Sequence, residues 1–122
     1  MSKRKNTKIY QEALKLAGML ASNTGNLPKG IQGSLWGGQV LGSIIFCLEK
    51  IRLAEASAVN SEKIGFLMSL MFDTEKVRIR LQICLESKLI SKSLYEKYIG
   101  HLESIENQAT NWIGYMQKKE GQ

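Results

Sequence analysis

Residues 30–48 read GIQGSLWGGQVLGSIIFCL, nineteen positions with five glycines and no charge. A membrane span, a phosphate-cradling loop and a glycine-rich helix of a helical bundle all fit such a run. The phosphate loop fails on context. It needs Gly-Lys-Ser/Thr after a strand and before a helix, whereas Lys29-Gly30 is in the reverse order with no strand ahead of it. The membrane reading has more in its favour. About twenty apolar residues cross a bilayer, and the Gly-x-x-x-Gly spacing of Gly33 with Gly37, and of Gly38 with Gly42, packs helices in lipid. Against it stands the helical phase. At 100° per residue, Gln32, Gln39, Ser43 and Lys50 fall within about 40° of one another, a polar stripe for which lipid has no use.

The bundle helix remains. Each interior glycine costs about 1 kcal/mol relative to alanine, so five of them call for compensation by close approach of another helix backbone. Trp36 and Phe46 flank the polar stripe and add apolar surface that a single core does not need. Gly33, Gly37, Gly38, Gly42, Trp36 and Phe46 are therefore the candidate subunit-packing residues, and a homo-oligomer is expected.

On either side of this stretch the chain reads as helix. Ile9, Ala13, Leu16 and Leu20 mark one face of a first helix, ended by SNTGN (22–26), with Gly25 as a left-handed stop. Asn26 is placed to cap the second helix, Pro28 lies in its first turn, and the helix is expected to run to about Ala58. A third helix opens at Asn60 or Ser61 and carries Ile64, Leu67, Met71, Thr74, Leu81 and Leu85. After a break at SKS (91–93), Ser93 and Glu96 have capping-box spacing. The fourth helix repeats Tyr98, Leu102, Ile105, Ala109, Trp112 and Met116 in steps of four and three. The prediction is all-α: a basic tail over 1–7, then an antiparallel up-down-up-down four-helix bundle over 8–119, assembled into a ring or barrel of subunits.

The 122 residues include seventeen Lys and Arg against eleven Asp and Glu, a formal +6. The pI is near 9.4. Such a balance favours polyanions, nucleic acid before a membrane surface. Lys76, Arg78 and Arg80 in EKVRIRLQ (75–82), Lys50 with Arg52, and the Lys118-Lys119 tail are the candidate nucleic-acid and partner contacts. Arginine's planar fork suits phosphate, and with few interleaved aromatic residues the contact is expected to be to backbone, sequence-tolerant and salt-sensitive. No catalytic or metal constellation is visible. His101 and Asp73 are the sole residues of their types, and Cys47 and Cys84 lack a Cys-x-x-Cys spacing. Neither a cofactor nor a metal is expected. The charged start lacks the apolar core and cleavage pattern of a secretory signal, so a cytoplasmic protein with reduced thiols and no membrane role is expected.

Five short motifs carry a resemblance: LPKGIQGSL (27–35), VRIRLQ late in the third helix, ISKSLY (90–95) opening the fourth, NWIGYMQKK (111–119), and the short first helix ahead of them. Together, over about residues 8–119, the chain resembles the Avd-like proteins, the accessory variability determinants of diversity-generating retroelements. The related bundles linked to ribosomal RNA intervening sequences carry Arg-Ala-Ala and Asn-Ile-Ala-Glu-Gly patterns that this chain lacks. The resemblance implies a barrel-shaped homopentamer that is not an enzyme. It binds the element's reverse transcriptase and its RNA, with DNA contact through phosphate, and supports mutagenic cDNA synthesis. It assigns partner contact to Arg78, Arg80, Lys118 and Lys119. The stretch from Gly30 to Leu48 departs from the pattern in having no basic side chain. The competing reading is a helical adaptor, or a bundle protein of other mobile elements, with no nucleic-acid role.

Overall fold

The computed structural model describes residues 6–120, with the side chain of Glu120 left aside; the expected basic tail over 1–7 lies outside it except for its last two residues. Among the described residues there are four long helices and no strand. Helix α1 spans Lys8–Ser22. A single 3-10 turn, Thr24–Asn26, leads to α2, Lys29–Ala56. Helices α3 and α4 span Asn60–Glu86 and Lys92–Glu120. Each helix packs on its neighbour in the chain, and α4 closes back on α1.

The helices begin and end for local reasons, several of them different from those expected. Thr7 is no frayed residue: its hydroxyl accepts from the Tyr10 amide at 3.2 Å as the α1 cap and donates to Glu55 at 2.6 Å. Gly25 does not adopt a left-handed conformation; Asn23 to Asn26 close a 3-10 turn instead. Pro28, rather than Asn26, opens α2, its carbonyl accepting from the amides of Ile31 and Gln32. At α4 the cap is Ser91, which accepts from the Leu94 amide at 3.1 Å, so the Ser93–Glu96 box does not form. Helix α3 ends on Lys88, the one non-glycine residue described with positive φ, at 61°. The amides of Leu89 and Lys88 donate to Cys84 and Leu85, the paired bonds of a left-handed helix stop.

The opening stretch departs most from expectation. Gln32–Leu41 is wound as a π-helix of ten residues, whereas such windings are mostly single turns. Past Gln32, whose amide still donates to the Pro28 carbonyl, the winding pairs amides with the fifth carbonyl back, which brings side-chain positions close to that carbonyl. A Cβ on Gly37 would stand 2.7 Å from the Gln32 carbonyl oxygen, closer than real Cβ atoms come, so this position needs glycine. The winding also turns Trp36 inward. Its Nε1 donates to the Leu20 carbonyl at 2.8 Å, a last-turn acceptor of α1 that also takes the Asn23 amide at 3.3 Å, and its ring lies 6.3 Å from that of Tyr98.

The polar stripe drawn at 100° per residue dissolves for the same reason. Gln32 turns to the Leu27 carbonyl, Gln39 is exposed, Ser43 is buried, and Lys50 reaches α3. The core itself follows the sequence phases closely: Ile9, Ala13, Leu16 and Leu20 of α1, and Tyr98, Leu102, Ile105, Ala109 and Met116 of α4, are all buried. Helix α2 is long and apolar enough to cross a membrane by length and composition, and Trp36, Val40, Ile44, Cys47, Ile51 and Ala54 from it form one wall of the core.

Candidate nucleic-acid and partner surface

Five of the seven cations selected from sequence are tied into the chain itself. Lys50 and Lys76 share the buried carboxylate of Asp73, at 3.4 and 3.9 Å. Arg78 donates to Glu75 at 2.7 Å and grips both carboxylate oxygens of Glu106 on α4. Thr74 adds its hydroxyl to the same carboxylate at 2.8 Å. Burial pushes the Glu106 pKa up, but the hydrogen bonds from Arg78 and Thr74 outweigh it and hold the group below its ordinary value. Arg80 donates to the Ser43 hydroxyl across the α2–α3 seam. Arg52 donates to Glu55 at 2.9 Å and to Asn6 at 2.7 Å, with its guanidinium 3.4 Å over the Tyr10 ring.

Lys50, Arg78 and Arg80 join neighbouring helices, Arg52 reaches α1 through its stack on Tyr10, and Lys76 pairs within α3. Lys50, Arg52, Arg78 and Arg80 are thus held by carboxylates, a hydroxyl and an amide of the chain itself, while the Lys76 side chain stays 59% exposed.

Lys118 and Lys119 fare differently. Both are exposed in the last turn of α4 and have no carboxylate partner among the described residues. The structure leaves further lysines exposed and without an ion pair among the described residues, Lys29, Lys88 and Lys92 included, that the sequence reading did not choose as contacts. Lys8 and Lys15 lie two turns apart on α1, and Lys97 lies on α4, all exposed and none ion-paired among the described residues. Helices α1 and α4 are joined where His101 Nδ1 lies 3.2 Å from Glu12 Oε1. A weak signal for this set is present in the seven-residue spacing of Lys8 and Lys15. The adjacent α4 contribution is not readable without the packing.

The proposed packing residues also divide. Trp36 is fully buried inside its own chain and is corrected to a core residue. Gly33 and Gly42 have nothing within 4 Å of an added Cβ, and Gly37 and Gly38 meet only carbonyls of their own helix, so no described helix approaches them closely. Phe46 is 55% exposed. Ile45 and Leu53 on α2 and Met68, Phe72, Ile79 and Ile83 on α3 are exposed as well; Phe72 is 73% exposed. Between α1 and α2 runs an open groove of about 580 Å³, bounded by Tyr10, Ile45, Leu48, Glu49, Arg52, Leu53 and Ala56.

Among the described residues no three His, Cys, Asp or Glu side chains converge as a metal set. Cys47 and Cys84 are free and buried. Burial pushes both thiols above their ordinary pKa, and the Asp73 carboxylate raises Cys47 further.

No protein-family model matches this chain. No curated protein matches it. A solved structure does: a protein of unknown function from the S23 ribosomal protein family of Bacteroides thetaiotaomicron. The TM-score is 0.73 at 16% identity, over 84% of this chain and 95% of that one. At that identity the likeness concerns fold alone, and on that footing the chain has an all-helical, four-helix architecture similar to that of the S23-family protein.

Proposed function

We propose that this chain is a non-catalytic accessory protein that binds nucleic-acid phosphate and works beside a reverse transcriptase, as its resemblance to the Avd-like proteins implies. In this reading the protein is cytoplasmic, its helices alternate in direction, and its subunits form a closed ring. Alternation is supported by cross-helix contacts. The start of α2 meets the end of α1 through Trp36 and Leu20, and the end of α2 meets the start of α1 through Glu55 and Thr7.

One observation carries the nucleic-acid part: of the lysines without carboxylate partners among the described residues, Lys8, Lys15, Lys92, Lys97, Lys118 and Lys119 lie on the helix pair α1 and α4, while Lys29, Lys63 and Lys88 lie elsewhere. Lysine ammonium groups of this kind neutralise phosphates as point charges and release counterions. The test is fluorescence anisotropy with a structured RNA over a salt series. Charge reversal at Lys8, Lys15 and Lys97 is expected to weaken binding at least tenfold and to flatten the salt slope by about one for each phosphate no longer neutralised. Binding that ignores both salt and these substitutions would favour the helical-adaptor reading, for which the apolar surface of α2 and α3 is the supporting observation. The enzyme partnership is tested separately, by co-purification with a diversity-generating reverse transcriptase.

A further inference from the structure

Helix α3 has two apolar faces. Leu67, Leu70, Thr74, Val77, Leu81 and Cys84 are buried. Met68, Phe72, Ile79 and Ile83 are exposed. At 100° per residue these four fall within about 60° of one another, and their centre lies about 180° from that of the buried set. They form a ridge about 22 Å long at 1.5 Å per residue, pointing straight away from the core. No described helix covers it. The α1–α2 groove is a separate surface, about 17 Å long from Ile45 to Ala56 on the same rise.

The geometry points to a heterologous contact between copies of this chain, in which the α3 ridge of one copy seats in the α1–α2 groove of the next. Charge and spacing choose a second copy as the occupant. On the ridge, Lys76 stands four residues after Phe72 and three before Ile79. Along the groove, Glu49 stands four residues after Ile45 and four before Leu53. Lys76 touches Asp73 only at 3.9 Å, and exposed Glu49 has no cation partner among the described residues. Arg52 in the groove is neutralised by Glu55, and Glu75 beside the ridge by Arg78, so the net signs left are positive on the ridge and negative in the groove. The Arg52–Tyr10 stack holds the groove wall in place. Because ridge and groove are different patches, the contact is head-to-tail, and its repetition closes a ring when the rotation allows. This inference rests on the self-association clause of the proposed function and is independent of the nucleic-acid clause. It also moves the interface off the glycines of α2.

The test is native mass by light scattering on the full chain, with circular dichroism confirming the fold of each variant. Wild type is expected to be an assembly of several subunits. The ridge variant Phe72→Glu alone and the groove variant Ile45→Glu/Leu53→Glu alone are expected to be monomers. Mixed in equal amounts they are expected to form a 1:1 dimer, since the mixture retains one intact ridge and one intact groove. A monomeric wild type overturns the inference. So does a groove variant that assembles like wild type, which would mean ridge packed on ridge, or a mixture of folded variants that stays monomeric. Should an apolar variant fail to fold, the charge pair decides. Lys76→Glu and Glu49→Lys are each expected to weaken assembly roughly tenfold, and the double variant is expected to recover it. A double variant no better than the singles overturns the inference. RNA anisotropy on the same samples reads the nucleic-acid clause separately, so either idea can fail while the other stands.

Discussion

At the scale of single residues, Glu106 does more than any other polar side chain to join helices. Its carboxylate is held by Arg78 and Thr74 of α3 and is only 16% exposed. Charged partners of this kind cost little when paired and a great deal when one is removed. Replacing Glu106 with Gln is expected to destabilise the fold by about 2 kcal/mol, read by urea unfolding at neutral pH. Because the folded pKa of Glu106 lies below 4.5, the stability it contributes is fully present above that pH and is lost as pH falls below it. The variant is therefore expected to lose part of the acid sensitivity seen in wild type below about pH 4.5. The same network shows what sequence alone does not reveal about Arg78. Its local partner Glu75 is visible three residues away, but Glu106 is twenty-eight residues along the chain and only packing brings it near. A count of cations is readable in a sequence, whereas their occupancy by carboxylates on other helices is not.

At the scale of elements, legibility depends on whether a helix keeps one winding throughout. Helices α1 and α4 do, and their apolar spacing marks the buried face almost residue for residue, from Ile9 to Leu20 and from Tyr98 to Met116. Helix α3 is half legible. Its inward stripe can be read, while the outward stripe through Phe72 escapes notice, since a second apolar face looks like noise until burial divides the two. Helix α2 is misread in phase, because a projection at 100° per residue fails across the π-wound Gln32–Leu41. Two substitutions separate the winding from the glycine content. Gly37→Ala places a Cβ against the Gln32 carbonyl and is expected to lower the melting temperature by several degrees, for a loss of about 1–3 kcal/mol. Gly42→Ala meets nothing within 4 Å and sits at the start of regular α-helix, so it is expected to stabilise by up to about 1 kcal/mol. If Gly42 does contact a second subunit's backbone, the alanine variant will instead lower the native mass.

At the scale of the whole molecule, chemistry is divided between helix pairs. Most lysines without a carboxylate partner among the described residues lie on α1 and α4, six of nine, while most exposed large apolar side chains lie on α2 and α3. Salt acts oppositely on such surfaces. Screening and counterion competition weaken phosphate binding, whereas apolar contact is untouched or strengthened. The two proposals thus make separable demands on one protein. A salt series that abolishes RNA binding while leaving native mass unchanged is the pattern expected if both hold. The fold is legible at this scale as four helices with boundaries good to within a few residues. The division of surfaces is not, because it depends on which helices become neighbours.

The two thiols bear on how this molecule opens. Cys47 lies near the middle of α2, fully buried, while Cys84 lies within a turn of the end of α3. A thiol-specific reagent reaches such groups only during excursions from the native state, so each cysteine serves as a clock for a different excursion. Cys84 is expected to be modified first, at the pace of fraying at the left-handed stop on Lys88. Cys47 is expected to wait for separation of α2 from its neighbours, with a labelling rate that tracks global stability as denaturant is added. Equal rates at the two sites would mean that the chain opens as one unit, with no looser end at all.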